Sequence, residues 1–89
     1  MKLNWHKSAW DEYVFWQGQD RKTLKRINKL LDSIVREGVD KGIGSPERLR
    51  GDLTGYFSRE INEKDRLVYT LTSDGVIEVA QCRGHYDDK

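Results

Sequence analysis

The chain has 89 residues, 35% charged and 36% apolar, with a net charge of +1. A single domain of that size buries about 60–65% of the surface its unfolded chain exposes, which excludes deep cavities and large cofactor sites, while its 10% aromatic content excludes a disordered chain. One cysteine, Cys82, excludes an internal disulfide and a multi-cysteine zinc site; with no apolar run long enough for secretion or membrane insertion, a cytoplasmic location and no membrane partner are expected.

Along the chain, "MKLNW" alternates and predicts a first strand with Leu3 and Trp5 on one face. Ser8 is expected to open a helix, with Asp11 three residues on in a capping-box pattern and Gly18 at its end. Trp10, Tyr13, Val14 and Trp16 follow at helical spacing. Asp20 is a cap for a second helix, "RKTLKRINKLLDSIVRE", whose Leu24, Ile27, Leu30, Leu31, Ile34 and Val35 form one apolar stripe. The opposite face holds Arg21, Lys22, Lys25, Arg26, Lys29 and Arg36. Such a face is either simply solvated or a dock for a polyanion, and the sequence leaves both readings open. "GVDKGIGSP" is a connector that matches no phosphate-binding loop.

After Pro46 the period becomes two. A short extended piece around "ERLRG" precedes three strands: "GYFSREI" sets Phe57, Arg59 and Ile61 on one face, "RLVYTLT" sets Leu67, Tyr69 and Leu71 together, and "VIEVAQCRGHY" sets Ile77, Val79, Gln81, Arg83 and His85 on a shared side. The links "NEKD" and "SDG" are of hairpin length, so the three form an antiparallel meander. The expected fold is α+β, a single domain with two N-terminal helices packed on one face of a small, mostly antiparallel sheet in the order βααβββ, with the other face left for a ligand.

Two histidines are present. His6 reads as a structural or surface residue. His85 is flanked by Arg83 and Tyr86, and a histidine near its free pKa of about 6.5 can exchange a proton at neutral pH. There is no HExxH, no cysteine pair, no calcium-loop pattern and no GxSxG, so neither a metal nor a cofactor is expected. The remaining set of Glu, Arg, His and Tyr suits proton transfer around a phosphate. RNA fits that chemistry because its 2′-hydroxyl is an internal nucleophile, needing only a base, cations for the phosphate and an acid for the departing 5′ oxygen. Taken singly, each of these side chains is equally consistent with a surface ion pair or an exposed strand end. Cys82 reads as a small buried strand residue on the face opposite His85.

The segments "MKLNWHKSAWDEYVFW", "KRINKLL", "SPERLRGDLTGYFSREINEKDRLVY" and "CRGHY" resemble the YoeB/Txe toxins of the RelE superfamily, from Met1 to Tyr86 in one register. That resemblance implies a type II toxin: a ribosome-dependent endoribonuclease cutting mRNA in the A site and neutralised by a YefM-like antitoxin, with homodimers familiar in the family. It implies Glu47 as general base, His85 as general acid, and Arg66 as the cation on the phosphate, with Arg59 assisting and Tyr86 positioning the phosphate or stacking on a base. Arg50 and Arg83 would contact RNA, and Lys22, Lys25, Arg26 and Lys29 would dock ribosomal RNA. The chain departs from the family pattern at Glu60, where a second arginine is usual, at Gly84, where a bulkier residue precedes the histidine, and in the short acidic tail Asp87-Asp88-Lys89. Two other functions remain open on the same scaffold: a non-enzymatic toxin related to ParE that binds gyrase, and an inactive interaction module.

Overall fold

The computed structural model describes residues 2–85. Strand β1 (Lys2–Trp5) leads into helices α1 (Lys7–Gln19) and α2 (Arg21–Glu37); strands β2 (Glu47–Arg48), β3 (Phe57–Glu60), β4 (Arg66–Leu71) and β5 (Val76–Gln81) follow, with one 3₁₀ turn at Gly51–Leu53. The sheet runs β1-β5-β4-β3-β2. β1 pairs parallel with β5 and every other pairing is antiparallel, so the meander is as expected and the first strand closes one edge of a mixed sheet.

The second helix forms where its pattern says. Asp20 caps it, accepting from the backbone N–H of Lys22 (3.1 Å) and Thr23 (3.2 Å) and from the Thr23 hydroxyl (2.7 Å). Ile27, Leu30 and Ile34 are fully buried against Leu67, Tyr69, Ile77 and Val79, also at 0% exposure. Burial of each such aliphatic side chain contributes about 1.5–3 kcal/mol, so this stripe, not helix propensity, holds α2 to the sheet.

The first helix corrects two expectations. It starts one residue before Ser8, with His6 at the cap position and no side-chain cap; Asp11 instead pairs with Lys7 at 2.6 Å, one helical turn away. Gly18 lies within it, and the extended residue Asp20 (φ −154°, ψ 98°) is what ends α1 and caps α2 at once.

The face parity of β5 is the third correction. Tyr69 pairs with Val79 but Val68 pairs with Gln81, leaving Ala80 as an extra residue. A bulge of this kind exchanges the two faces beyond it. Cys82, not Gln81, therefore continues the helix-facing series of Ile77 and Val79 and is 0% exposed, and Gln81 turns to the uncovered face. The strand itself stops at Gln81.

Candidate active site

On β3 the buried Phe57 and Ile61 fix which residues face the helices, so Ser58 and Glu60 point to the uncovered side. Registers extend this assignment across the sheet. Glu47 pairs with Ser58, Ser58 with Val68, Val68 with Gln81, and Glu60 with Arg66. Glu47 and Arg66 thus share the uncovered face, two strands and one pleat apart, or roughly 12 Å between backbones at the usual strand spacing and rise. Ser58 and Val68, each 2% exposed, form the floor between them. Glu47 itself is exposed.

Arg66 is half-buried, and its Nη1 donates to the carbonyls of Asn62 (2.5 Å) and Asp65 (3.1 Å), which turns the guanidinium toward the β3–β4 hairpin. The chain before His85 comes to the same place. The Arg66 N–H donates to the Gly84 carbonyl (2.9 Å), the Gly84 N–H donates to Asp65 Oδ1 (2.8 Å), and Gln81 Nε2 donates to the same Gly84 carbonyl (2.8 Å). Upstream, Trp16 Nε1 donates to the Cys82 carbonyl (2.8 Å) and the Cys82 N–H to Glu12 Oε1 (2.9 Å), so α1 anchors the end of β5. The backbone entering the half-buried His85 therefore lies beside Arg66, whose side chain shares a sheet face with Glu47. Tyr86, Asp87, Asp88 and Lys89 lie outside the described residues.

The role given to Arg59 is corrected. It is 0% exposed on the helix side of the sheet, and its donors are all engaged: Nε with the Tyr69 hydroxyl (2.8 Å), Nη1 with Ser33 Oγ (2.9 Å) and the Ile43 carbonyl (3.0 Å), Nη2 with the carbonyls of Gly38 (2.8 Å) and Lys41 (2.6 Å). A guanidinium so enclosed organises the 38–45 connector and has no donor left for a phosphate. Gly44, at φ 87°, passes so close that a Cβ there would sit 2.6 Å from Leu30 Cδ2. Arg59 thus acts on the approach to Glu47, not on RNA.

Arg83 is exposed, its guanidinium carbon 3.7 Å from the Phe15 ring centre, on a cleft of about 350 Å³ that Lys64 and Asp65 also line. Arg50 is exposed at the head of the 3₁₀ turn. On α2, Lys22, Lys25 and Lys29 are exposed and line a shallow groove with Arg26, but Arg26 Nη2 is engaged by the Glu60 carbonyl at 3.1 Å. Reading "NEKD" only as a hairpin link passes over Asn62 and Asp65; Asn at the first position with Asp three residues on is the signal of an Asx turn. Among the described residues, no group of three or more His, Cys, Asp or Glu side chains could hold a metal ion.

A family model described as a YoeB-like toxin of bacterial type II toxin–antitoxin systems matches residues 5–86. Toxin YoeB of Streptomyces coelicolor is 45% identical over 97% of this chain and 100% of its own length. Among solved structures, a YoeB/ParE toxin from Agrobacterium tumefaciens superposes with a TM-score of 0.92 at 45% identity, covering 97% of this chain and 100% of that one. Staphylococcus aureus YoeB, solved in complex with YefM and as a dimer, superposes with a TM-score of 0.88 in both, at 43% and 45% identity, covering 97% of this chain and 98% of that one. With a sheet, a helical layer and a match that spans nearly its whole length, the chain belongs to the YoeB-like toxins of bacterial type II toxin–antitoxin systems.

Proposed function

We propose that the chain is an endoribonuclease that cuts messenger RNA in the ribosomal A site by general acid–base chemistry without a metal ion. The observation that carries this reading is that the Arg66 N–H binds the carbonyl of Gly84, the residue before His85, while the registers put the Arg66 and Glu47 side chains on one sheet face. Glu47 removes the proton of the 2′-hydroxyl; the oxygen attacks the adjacent phosphorus, and the bond to the 5′ oxygen breaks as His85 delivers a proton to it. The products are a 2′,3′-cyclic phosphate and a 5′-hydroxyl. Arg66 balances the charge that gathers on the phosphate. By resemblance Tyr86 positions that phosphate, and Arg50 and Arg83 hold the strand.

The ribosome is the element that orients message against enzyme, and cytoplasm is where the two meet. A YefM-like antitoxin is the proposed inhibitor, since the S. aureus relative is held by YefM. For a second copy, the exposed apolar strip of Leu3, Trp10, Val14 and Val35 is the available surface.

Mapping mRNA 5′ ends after brief induction tests the reading. Breaks at A-site codons are expected with the unaltered chain. Glu47→Ala and His85→Gln should each lower the cleavage rate by about 10²–10⁴-fold, the usual worth of one proton-transfer partner, with unchanged thermal unfolding. Growth arrest with intact message would favour the gyrase-binding alternative and reject this one.

A further inference from the structure

Gly84 has φ 83°, a conformation that glycine adopts freely and that leaves the next residue poorly directed unless something else holds it. Here three bonds hold it. Asp65, 6% exposed, accepts the Gly84 N–H on Oδ1 at 2.8 Å, while Arg66 N–H and Gln81 Nε2 grip the Gly84 carbonyl at 2.9 and 2.8 Å. Asp65 is in turn fixed by its own turn: Oδ2 accepts from Asn62 Nδ2 (3.0 Å), and Asn62 Oδ1 accepts the N–H of Lys64 (2.8 Å) and Asp65 (2.7 Å). The same turn supplies the two carbonyls that hold the Arg66 guanidinium.

We propose that Asp65 is a positioning residue for RNA cleavage, locking the backbone that enters His85 to the turn that aims Arg66. The inference rests on the assignment of His85 and Arg66 above. Strand β5 does not need this bond to stay in place, since Trp16 and Glu12 already anchor Cys82; the Asp65 contact acts beyond that anchor. A carboxylate-to-amide bond is among the stronger hydrogen bonds, and displacing a reacting group by 1 Å can cost about 10²-fold in rate.

The test is single-turnover and steady-state cleavage of a short mRNA on programmed ribosomes. Asp65→Ala should lower kcat by about 10- to 100-fold with KM within about 2-fold, the signature of impaired alignment and not of impaired binding. Asp65→Asn keeps a carbonyl oxygen for the Gly84 N–H but sets its NH2 against Asn62 Nδ2, so it should restore part of the rate. In a His85→Gln background, Asp65→Ala should add less than about 2-fold, because the group it aligns is already gone. Faster hydrogen exchange at the Gly84 amide of Asp65→Ala, in an otherwise protected protein, would report the released clip directly. Should Asp65→Ala fail to fold, Gln81→Leu removes the side-chain donor to the same glycine and should show the same loss of kcat. A folded Asp65→Ala with unaltered kcat, or a loss that multiplies fully onto that of His85→Gln, overturns the proposal. Cleavage lost in His85→Gln but kept in Asp65→Ala rejects only the positioning role; full activity in His85→Gln rejects the catalytic assignment beneath it.

Discussion

Arg59 is a cation without water, and what it holds is backbone. Its guanidinium satisfies the carbonyls of Gly38, Lys41 and Ile43 together with Ser33 and Tyr69. A lysine has three donors on a single point and cannot span that arc. Arg59→Lys should therefore destabilise the protein by about 3–5 kcal/mol, the range for breaking a buried charged network, read as a lower urea midpoint. Tyr69 belongs to the same network. Burial pushes its hydroxyl above the ordinary tyrosine pKa, with Arg59 opposing, while the O–H donates to the Val39 carbonyl (2.5 Å). A folded-state pKa that is raised means stability fully present below the unfolded value of about 10 and lost as pH climbs through the folded one. Tyr69→Phe should lose about 1–3 kcal/mol at neutral pH from its orphaned partners and should lack the wild-type decline above pH 10. Strand alternation already separates Arg59, which shares a face with the apolar Phe57 and Ile61, from Arg66, which lies on the face opposite Leu67 and Tyr69. Both stand on strands, and the packing of the helices on the apolar face leaves Arg66 the one that meets solvent.

At the scale of elements, legibility follows whether the signal is local. Asp20 capping α2 and the apolar stripe behind it lie within one or two turns of each other, and both can be read directly. The capping box expected at Ser8 does not form because α1 already starts at Lys7, which puts Ser8 inside its first turn, and Asp11 pairs with Lys7 instead. The bulge at Ala80 cannot be read from β5 at all, since it is defined by the register of β4; counting by twos therefore puts Gln81 and Cys82 on the wrong faces. The Asp20 cap also sets an acid limit. Hydrogen bonds from the Thr23 hydroxyl and backbone hold the Asp20 pKa below its usual value, so its contribution is present above the unfolded carboxylate pKa and fades as pH falls through the lower folded one. Asp20→Ala should lower the melting temperature at pH 7 and, relative to wild type, lose less on acidification, a difference that thermal melts from pH 7 to pH 2 would expose. Equal pH slopes in the two proteins would refute the capping account.

Across the whole molecule, the residues proposed for cleavage and those proposed for docking lie on two surfaces. The sheet face carries Glu47, Arg66 and the approach to His85, while the outer side of α2 carries Lys22, Lys25 and Lys29. Arg26 bridges them by reaching the Glu60 carbonyl at the end of β3, so the cationic helix is tied to the strand that borders the face proposed for cleavage. Glu60 also stands opposite Arg66 in the β3–β4 register, placing a negative charge beside the cation that would meet phosphate. Under the proposed mechanism a chain of net charge +1 with this acid beside its phosphate-binding arginine needs attraction from elsewhere, and the exposed lysines of α2 are the proposed source. Replacing Lys22, Lys25 and Lys29 together by glutamine should leave unfolding unchanged, raise KM for programmed ribosomes, and preserve kcat at saturation. If all three meet RNA phosphates, the slope of log affinity against log salt should fall by about 2–3, near 0.7–0.9 for each phosphate no longer neutralised. Cosedimentation with ribosomes across a salt series measures that slope. A triple variant with the wild-type slope would mean that the face is only solvated and that any ribosome binding uses another surface.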